Sequence, residues 1–295
     1  MIITCRAPVR IDFGGAWTDV DEFACAPNSG GGLVLNAAID KYVTGRLQAN
    51  GDGLHVFYGF DLPSGSGLGT SAALNVVWLS LVRSRTASTN RAEIADLAYR
   101  LEEMLGVLGG RQDQYAAALG GFQLLHFGPS GVLPKPVQIA PVTVAALESR
   151  SVLCYTGTPR LSGTIHENVW GAFWQGRPQT ISALFRLRDL AKEMARSLET
   201  DDLETFARQI GENWECQKAL DDSVTNEQIE RLFDAAYAAG AIGGKACGAG
   251  GGGCLYFVAE AGRQYTVANA LAAAGARMIP FRFAFDGLTL QEQRP

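Results

Sequence analysis

Residues 63–73 read Pro63-Ser64-Gly65-Ser66-Gly67-Leu68-Gly69-Thr70-Ser71-Ala72-Ala73. Glycine costs backbone entropy, so three alternating glycines mark a place where backbone must approach something closely. Upstream, residues 54–60 alternate like a strand. Downstream, Ala72, Ala73, Val76, Val77 and Leu81 recur at helical spacing, which predicts a helix over 71–81. A glycine loop feeding a helix presents backbone N–H groups at the helix N-terminus, which suits a phosphate. A flexible turn does not account for the glycines, the hydroxyls and the helix start coinciding. The loop is no Walker A motif, because Thr70 follows Gly69 where that motif has lysine. Without a lysine, phosphates would be held by backbone dipoles and a metal, to which Ser71 can offer a hydroxyl.

Working outward, residues 2–13 and 33–49 read as strands. A helix starts at Asn90, with Glu93 placed to close a capping box, and runs to about Gly106. Residues 121–160 read as strands and turns. Helices are expected over 181–198, 201–219 and 226–239, then a strand over 254–258, a helix over 265–274 and a strand over 276–285. The chain is α+β, strand-rich first and helix-rich later, with a boundary near residue 150.

The 295 residues are 47% apolar and 19% charged, enough for a well-buried core in about two domains. Net charge is −5 and no Lys or Arg run occurs, so no nucleic-acid partner is expected. No secretory leader and no run of 18 apolar residues is found, so a cytoplasmic protein without a membrane partner is expected. Six cysteines without C-x-x-C spacing read as reduced thiols rather than disulfides or zinc ligands.

Gly248, Gly250 and Gly253 match G-x-G-x-x-G formally, but they precede a strand instead of following one. A dinucleotide fingerprint is therefore rejected, and with it an NAD-dependent oxidoreductase. The loop reads better as packing against a ligand or the first glycine loop; a merely structural loop stays open. Gly14-Gly15-Ala16-Trp17-Thr18-Asp19 is a binding edge or a plain turn. Asp113 sits among glycines and amides in Gly109-Gly110-Arg111-Gln112-Asp113-Gln114. On the helix from Asn90, at 100° per residue, Glu102 falls beside the apolar stripe and Glu103 opposite it. An inward Glu102 needs a partner, magnesium or an arginine.

Three of these segments together resemble the GHMP kinases (galactokinase, homoserine kinase, mevalonate kinase, phosphomevalonate kinase). The loop 63–73 resembles their second motif, Lys245 to Cys254 their third, and Arg6-Ala7-Pro8-Val9-Arg10-Ile11-Asp12-Phe13-Gly14-Gly15-Ala16-Trp17-Thr18-Asp19 their first, in its sugar-kinase form. Gly-x-Gln-Asp-Gln-Tyr around Asp113, and Tyr155-Thr156-Gly157-Thr158-Pro159-Arg160, resemble the anomeric sugar kinases such as heptose-7-phosphate 1-kinase and fucokinase. Ala16-Trp17 stand where galactokinases carry Glu-His, which argues against galactose. Thr70 replaces the commoner serine.

The resemblance implies an α+β, two-domain GHMP kinase-like fold. An N-terminal mixed-sheet domain would span 1–150 and a ferredoxin-like C-terminal domain 151–295, with ATP and substrate between them. It implies ATP contacts from Pro63, Gly65, Ser66, Gly67, Leu68, Gly69, Thr70, Ser71, Gly250 and Gly251. Mg²⁺ would be held by Ser71 and by Glu102, which lies eleven residues before Asp113 as the family's metal glutamate does. Asp113 would take the proton of the attacking hydroxyl, and Arg10 would hold Asp113 ionised and offset γ-phosphate charge. Thr18, Asp19, Gln112, Tyr155 and Arg160 would touch the substrate, as would Trp17 by stacking on a sugar face, with a buried core tryptophan the equal alternative. The implied activity is ATP-dependent phosphorylation of a sugar or sugar phosphate at its anomeric hydroxyl. A kinase of a cyclitol, cyclitol phosphate or other alcohol and a non-catalytic ATP/sugar-binding regulator stay open, and a homodimer is allowed.

Overall fold

The computed structural model describes residues 2–50, 53–63, 65–83, 90–107, 109–159 and 162–293. In chain order the elements are β1 (Ile2–Gly14), α1 (Asp21–Ala24), β2 (Gly32–Asn50), β3 (Gly53–Phe60), α2 (Thr70–Val82), α3 (Arg91–Met104), α4 (Gln112–Leu119), β4 (Phe122–Gly128), β5 (Gly131–Pro136), α5 (Pro141–Glu148), β6 (Ser151–Tyr155), α6 (Ser162–Trp174), α7 (Pro178–Glu199), α8 (Leu203–Lys218), α9 (Glu227–Ala238), β7 (Ala241–Ala246), β8 (Cys254–Ala259), α10 (Gln264–Ala273), β9 (Arg277–Met278) and β10 (Thr289–Gln293). A 3-10 turn, Asp222–Val224, precedes α9.

The first sheet runs β10-β1-β2-β4-β5, with β3 pairing the far half of β2. In β1 the period-2 alternation sends Ile3, Cys5, Ala7, Val9, Ile11 and Phe13 into the core. Arg10 and Asp12 then share the opposite face, and both are buried there. α2 and α4 pack on β1 and β2, and α3 packs on α2 and α4. The run Ala116-Ala117-Ala118 is buried on α4, its small side chains letting that helix approach β1 closely.

The second sheet runs β7-β8-β6-β9, antiparallel throughout. By chain order its strands lie 4-1-3-2, and helices follow the first and third of them, which is the ferredoxin-like arrangement. Every residue of β8 is buried. The fold is the expected two-sheet α+β architecture.

A cut at 150 does not separate the sheets cleanly. β10 returns to pair with β1, Ile2 opposite Gln293 through Arg6 opposite Thr289. The 22-residue α7 also leans on the first sheet: a Cβ at Gly14 would meet the Met194 sulfur at 2.7 Å. Other boundaries need correcting. Residues 141–148 are helix, started by Pro141 at the first helical position. Residues 162–174 are helix as well. The strand expected over 276–285 is only Arg277–Met278. Beyond it Pro280 lacks a donor, and Phe283 turns down onto Phe13 and Phe122 and bridges Ile39 of the first sheet. Strand β7 runs through Gly243 and Gly244 to Ala246, so the segment from Lys245 to Cys254 begins inside a strand. The α3 cap is as expected, Asn90 Oδ1 accepting from Glu93 N at 3.1 Å. The Glu93 carboxylate accepts from Arg83 Nη1 at 3.1 Å and from Asn90 Nδ2 at 3.4 Å.

Cys5, Cys25, Cys154 and Cys216 are free thiols. Among the described residues no helix is long and apolar enough to cross a membrane.

Candidate active site

The strand β1 delivers the cleft's only lining guanidinium among the described residues. Arg10 Nε donates to Asp113 Oδ1 at 2.8 Å, and Arg10 Nη1 donates to the Gly67 carbonyl at 2.6 Å. One side chain thus ties the first turn of α4 to the glycine loop. The loop closes on the same carboxylate: a Cβ at Gly69 would lie 3.1 Å from Asp113 Oδ2, and φ there is +78°, which favours glycine. Burial would lower the affinity of Arg10 for its proton, but the carboxylates of Asp113 and Asp12 outweigh it and raise the pKa.

The loop is pinned from the second sheet. Cys254 N donates to the Ser66 carbonyl at 2.7 Å, so the third glycine segment packs against the first. Ser71, at the start of α2, opens onto the cleft.

Glu102 points inward and Glu103 is exposed. No arginine among the described residues meets Glu102. Its Oε1 accepts from Asn75 Nδ2 at 2.8 Å and its Oε2 from Gln114 Nε2 at 2.6 Å. Burial lifts its pKa to about 7, helped by the charge of Asp113 and opposed by both amides. Asp19 is also lifted to about 7 by burial and by Asp113, against the N–H of Gln112, which donates to it at 3.1 Å. Gly110 must be glycine, because a Cβ there would sit 1.8 Å from Asp19 Oδ2.

Trp17 is 4% exposed and holds a left-handed φ of 82°, a conformation a bulky residue adopts only when its surroundings impose it. Its ring lies 4.5 Å from that of His166 on α6 and 6.0 Å from that of Trp170. Its Nε1, together with Oε1 of Gln112 and of Gln114, is buried without a hydrogen-bond partner among the described residues. Buried polar groups are seldom left so, and all three residues line the cleft.

Of the expected site residues, Arg10, Trp17, Asp19, Ser71, Glu102, Gln112 and Asp113 come together on this cleft. Four do not. Thr18 is turned into the fold, its Oγ1 bonding the Gly15 and Leu33 carbonyls. Gly250 and Gly251 pack on Val224 and Ile165, while their neighbours Gly248 and Ala249 line the cleft. Tyr155 lines a second cleft with Lys41, Asp61, Leu62 and Pro63. Arg160 and Ser64 lie outside the described residues. Ser66 and Thr70 bond to each other through their hydroxyls at 3.1 Å. Sequence inspection missed Asn75, Gln114 and His166. Asn75 lies one helical turn past Ser71 and was accessible to an i, i+4 argument; His166 lay on an unrecognised helix.

The chain matches the family models described as GHMP kinases N terminal domain, over residues 34–121, and GHMP kinases C terminal, over 190–277. It is 34% identical over 237 residues to a D-glycero-alpha-D-manno-heptose 7-phosphate kinase of Campylobacter jejuni, covering 77% of this chain and 68% of that protein. It is 30% identical over 229 residues to a bifunctional fucokinase/GDP-fucose pyrophosphorylase of Arabidopsis thaliana, covering 74% of this chain but only 21% of that longer protein. A solved D-glycero-D-manno-heptose 1-phosphate kinase from Bacteroides thetaiotaomicron superimposes with a TM-score of 0.80 at 25% identity, covering 99% of this chain and 100% of that one.

Proposed function

This chain belongs to the GHMP kinases, and from that premise we propose that it transfers the γ-phosphoryl group of ATP to the anomeric hydroxyl of a sugar or sugar phosphate. The observation that carries this is the contact of one carboxylate with both halves of the reaction. Asp113 lies against Gly69 of the phosphate-binding loop and opens onto the cleft where an acceptor would sit.

Phosphoryl transfer is mainly positioning and charge neutralisation. The backbone of residues 65–69 and the N-terminus of α2 would cradle the phosphates. Pro63, at the loop's start, faces the second cleft with Tyr155, so phosphates laid along the loop would leave the nucleoside end there. Asp113 would accept the acceptor's proton. Arg10, already bonded to Asp113 and Gly67, would fix the base relative to the phosphates. Asp19 and Gln112 would bind acceptor hydroxyls. The Trp17 ring is flanked by His166 and Trp170, so its free Nε1–H is the part it would offer to a sugar.

The residues fit magnesium. Three carboxylates, Asp19, Glu102 and Asp113, face one guanidinium across the cleft, and a divalent cation would relieve that imbalance. A hard cation bound through one or two protein oxygens plus substrate phosphates needs no larger cluster. Ser71 and Glu102 would hold it, and once bound it would neutralise charge on the transferring phosphate.

The test is ADP release with Mg²⁺-ATP across free sugars, sugar phosphates, cyclitols and mevalonate, with phosphorus NMR of the product. An anomeric phosphate on a heptose 7-phosphate, fucose or a relative is expected. Turnover confined to a cyclitol or to mevalonate would refute the sugar assignment, and ATP binding without ADP would indicate a binding protein.

A further inference from the structure

Lys245 plays no part in the chemistry above, yet it is fully buried on β7 of the second sheet. Its ammonium group does not reach the cleft. It donates to the Asp12 carbonyl at 3.0 Å and forms a short ion pair with Asp12 Oδ2. Asp12, also fully buried, accepts from Gly248 N at 3.0 Å through Oδ1. The same Oδ1 lies 3.6 Å from Arg10 Nη1. Arg10 in turn holds Asp113 and the Gly67 carbonyl. Charges therefore alternate along one buried chain, Lys245, Asp12, Arg10, Asp113, which starts in the second sheet and ends at the cleft.

A buried ion pair is a poor device for stability, because desolvation consumes most of the attraction. Its geometry here suggests another use. Asp12 competes with Asp113 for Arg10, and Lys245 satisfies Asp12 so that Arg10 is left to Asp113. We propose that Lys245 and Asp12 are positioning residues that act through Arg10, setting the base of the reaction from the opposite domain; this rests on Asp113 being that base. The assignment differs from a phosphate contact by Lys245, for which its burial leaves no room.

Without Lys245, Asp12 is an uncompensated buried anion with Arg10 as its nearest cation. Arg10 shifts toward Asp12 and away from Asp113. The glycine loop itself stays in place, because Arg10 N still donates to the Leu68 carbonyl at 3.0 Å and Cys254 N to the Ser66 carbonyl at 2.7 Å. The consequence is a lower kcat with little change in the KM for ATP.

The experiment uses Lys245→Met and the charge-neutral pair Asp12→Asn/Lys245→Met. The first readout is the Arg10 Nε–H resonance in nitrogen-15 NMR, assigned by its loss in Arg10→Lys. The second is kcat and KM per ATP-competent site. Lys245→Met should move the resonance in the direction of a weaker Nε–H hydrogen bond, as Nε loses Asp113, and lower kcat by about 10- to 100-fold, with the KM for ATP within about threefold. The neutral pair should return kcat toward the parent and move the resonance past the parent's in the hydrogen-bonded direction, since Arg10 then has Asp113 alone. A folded Lys245→Met with parental resonance and kcat overturns the proposal. If that variant does not fold, the neutral pair decides, and a resonance identical to the parent's overturns it. If no acceptor yields ADP, the kinase assignment falls while the resonance still decides the positioning role.

Discussion

Alanine at Gly110 probes the acceptor side of the cleft without touching a charge. Its Cβ would lie 1.8 Å from Asp19 Oδ2, 2.1 Å from Cγ and 2.6 Å from Oδ1. Against an ordinary contact of 3.4 Å the shortfall at Oδ2 is 1.6 Å. Asp19 has little freedom to give way, being buried and held by Gln112 N at 3.1 Å. A misplacement of about 1 Å in a group that orients a reactant costs about 100-fold, or roughly 2.7 kcal/mol of barrier. Gly110→Ala should therefore lower kcat/KM for the acceptor by about 100-fold. The KM for ATP should stay within about threefold, because the clash falls on Asp19 and spares the phosphate loop. Gly109→Ala is the control, since a Cβ there meets nothing within 4 Å. Coupled ADP-release kinetics, with each substrate varied in turn, reads both constants. A Gly110→Ala enzyme within threefold of the parent for the acceptor, or a Gly109→Ala enzyme equally impaired, would refute the role given to Asp19.

Asp113→Asn should cut turnover by about 10²- to 10⁴-fold while calorimetry shows Mg²⁺-ATP still binding; near-parental kcat would remove Asp113 as the base. Glu102→Gln should raise the Mg²⁺ concentration for half-maximal rate by about tenfold or more, and an unchanged requirement would place the metal elsewhere. Burial lifts the Asp19 and Glu102 carboxyls to about 7 from ordinary values of 3.8 and 4.5. The folded chain then keeps protons that the unfolded chain releases, so this contribution to stability declines as pH rises from about 4 to about 7 and is flat above that. Thermal unfolding of the ligand-free protein should give a lower Tm at pH 7.5 than at pH 5.5, with a shallower fall in Glu102→Gln; an equally steep fall there would remove Glu102 from the effect.

Local periodicity carried much of this molecule. The alternation in residues 2–13 and the 100° spacing over residues 94–105 placed β1 and turned Glu102 inward from sequence alone. The Asn90 cap was legible because capping is a contact across three residues. What stayed hidden is mostly long-range. Nothing local announces that residues 289–293 will pair with residues 2–6, or that Lys245 will meet a carboxylate 233 positions away. Short elements were also lost. The eight-residue α4 begins beside glycines, and α5 follows a proline-rich stretch, so neither offers enough turns for a periodic signal. Thr18 illustrates a subtler limit. A hydroxyl inside a binding motif looks like a ligand contact, and here it fastens the turn that presents Trp17 and Asp19.

The pairing of β10 with β1 also sets a timetable for synthesis. β1 is complete once residue 14 has been added, but its neighbour on one side begins only at residue 289, some 275 residues later. At roughly 5–20 residues per second, the ribosome takes about 15–55 s to cover that distance. Throughout that interval the nascent chain has an open strand edge with its backbone donors and acceptors unpaired. The first sheet is thus begun some 275 residues before the strand that closes its edge is made.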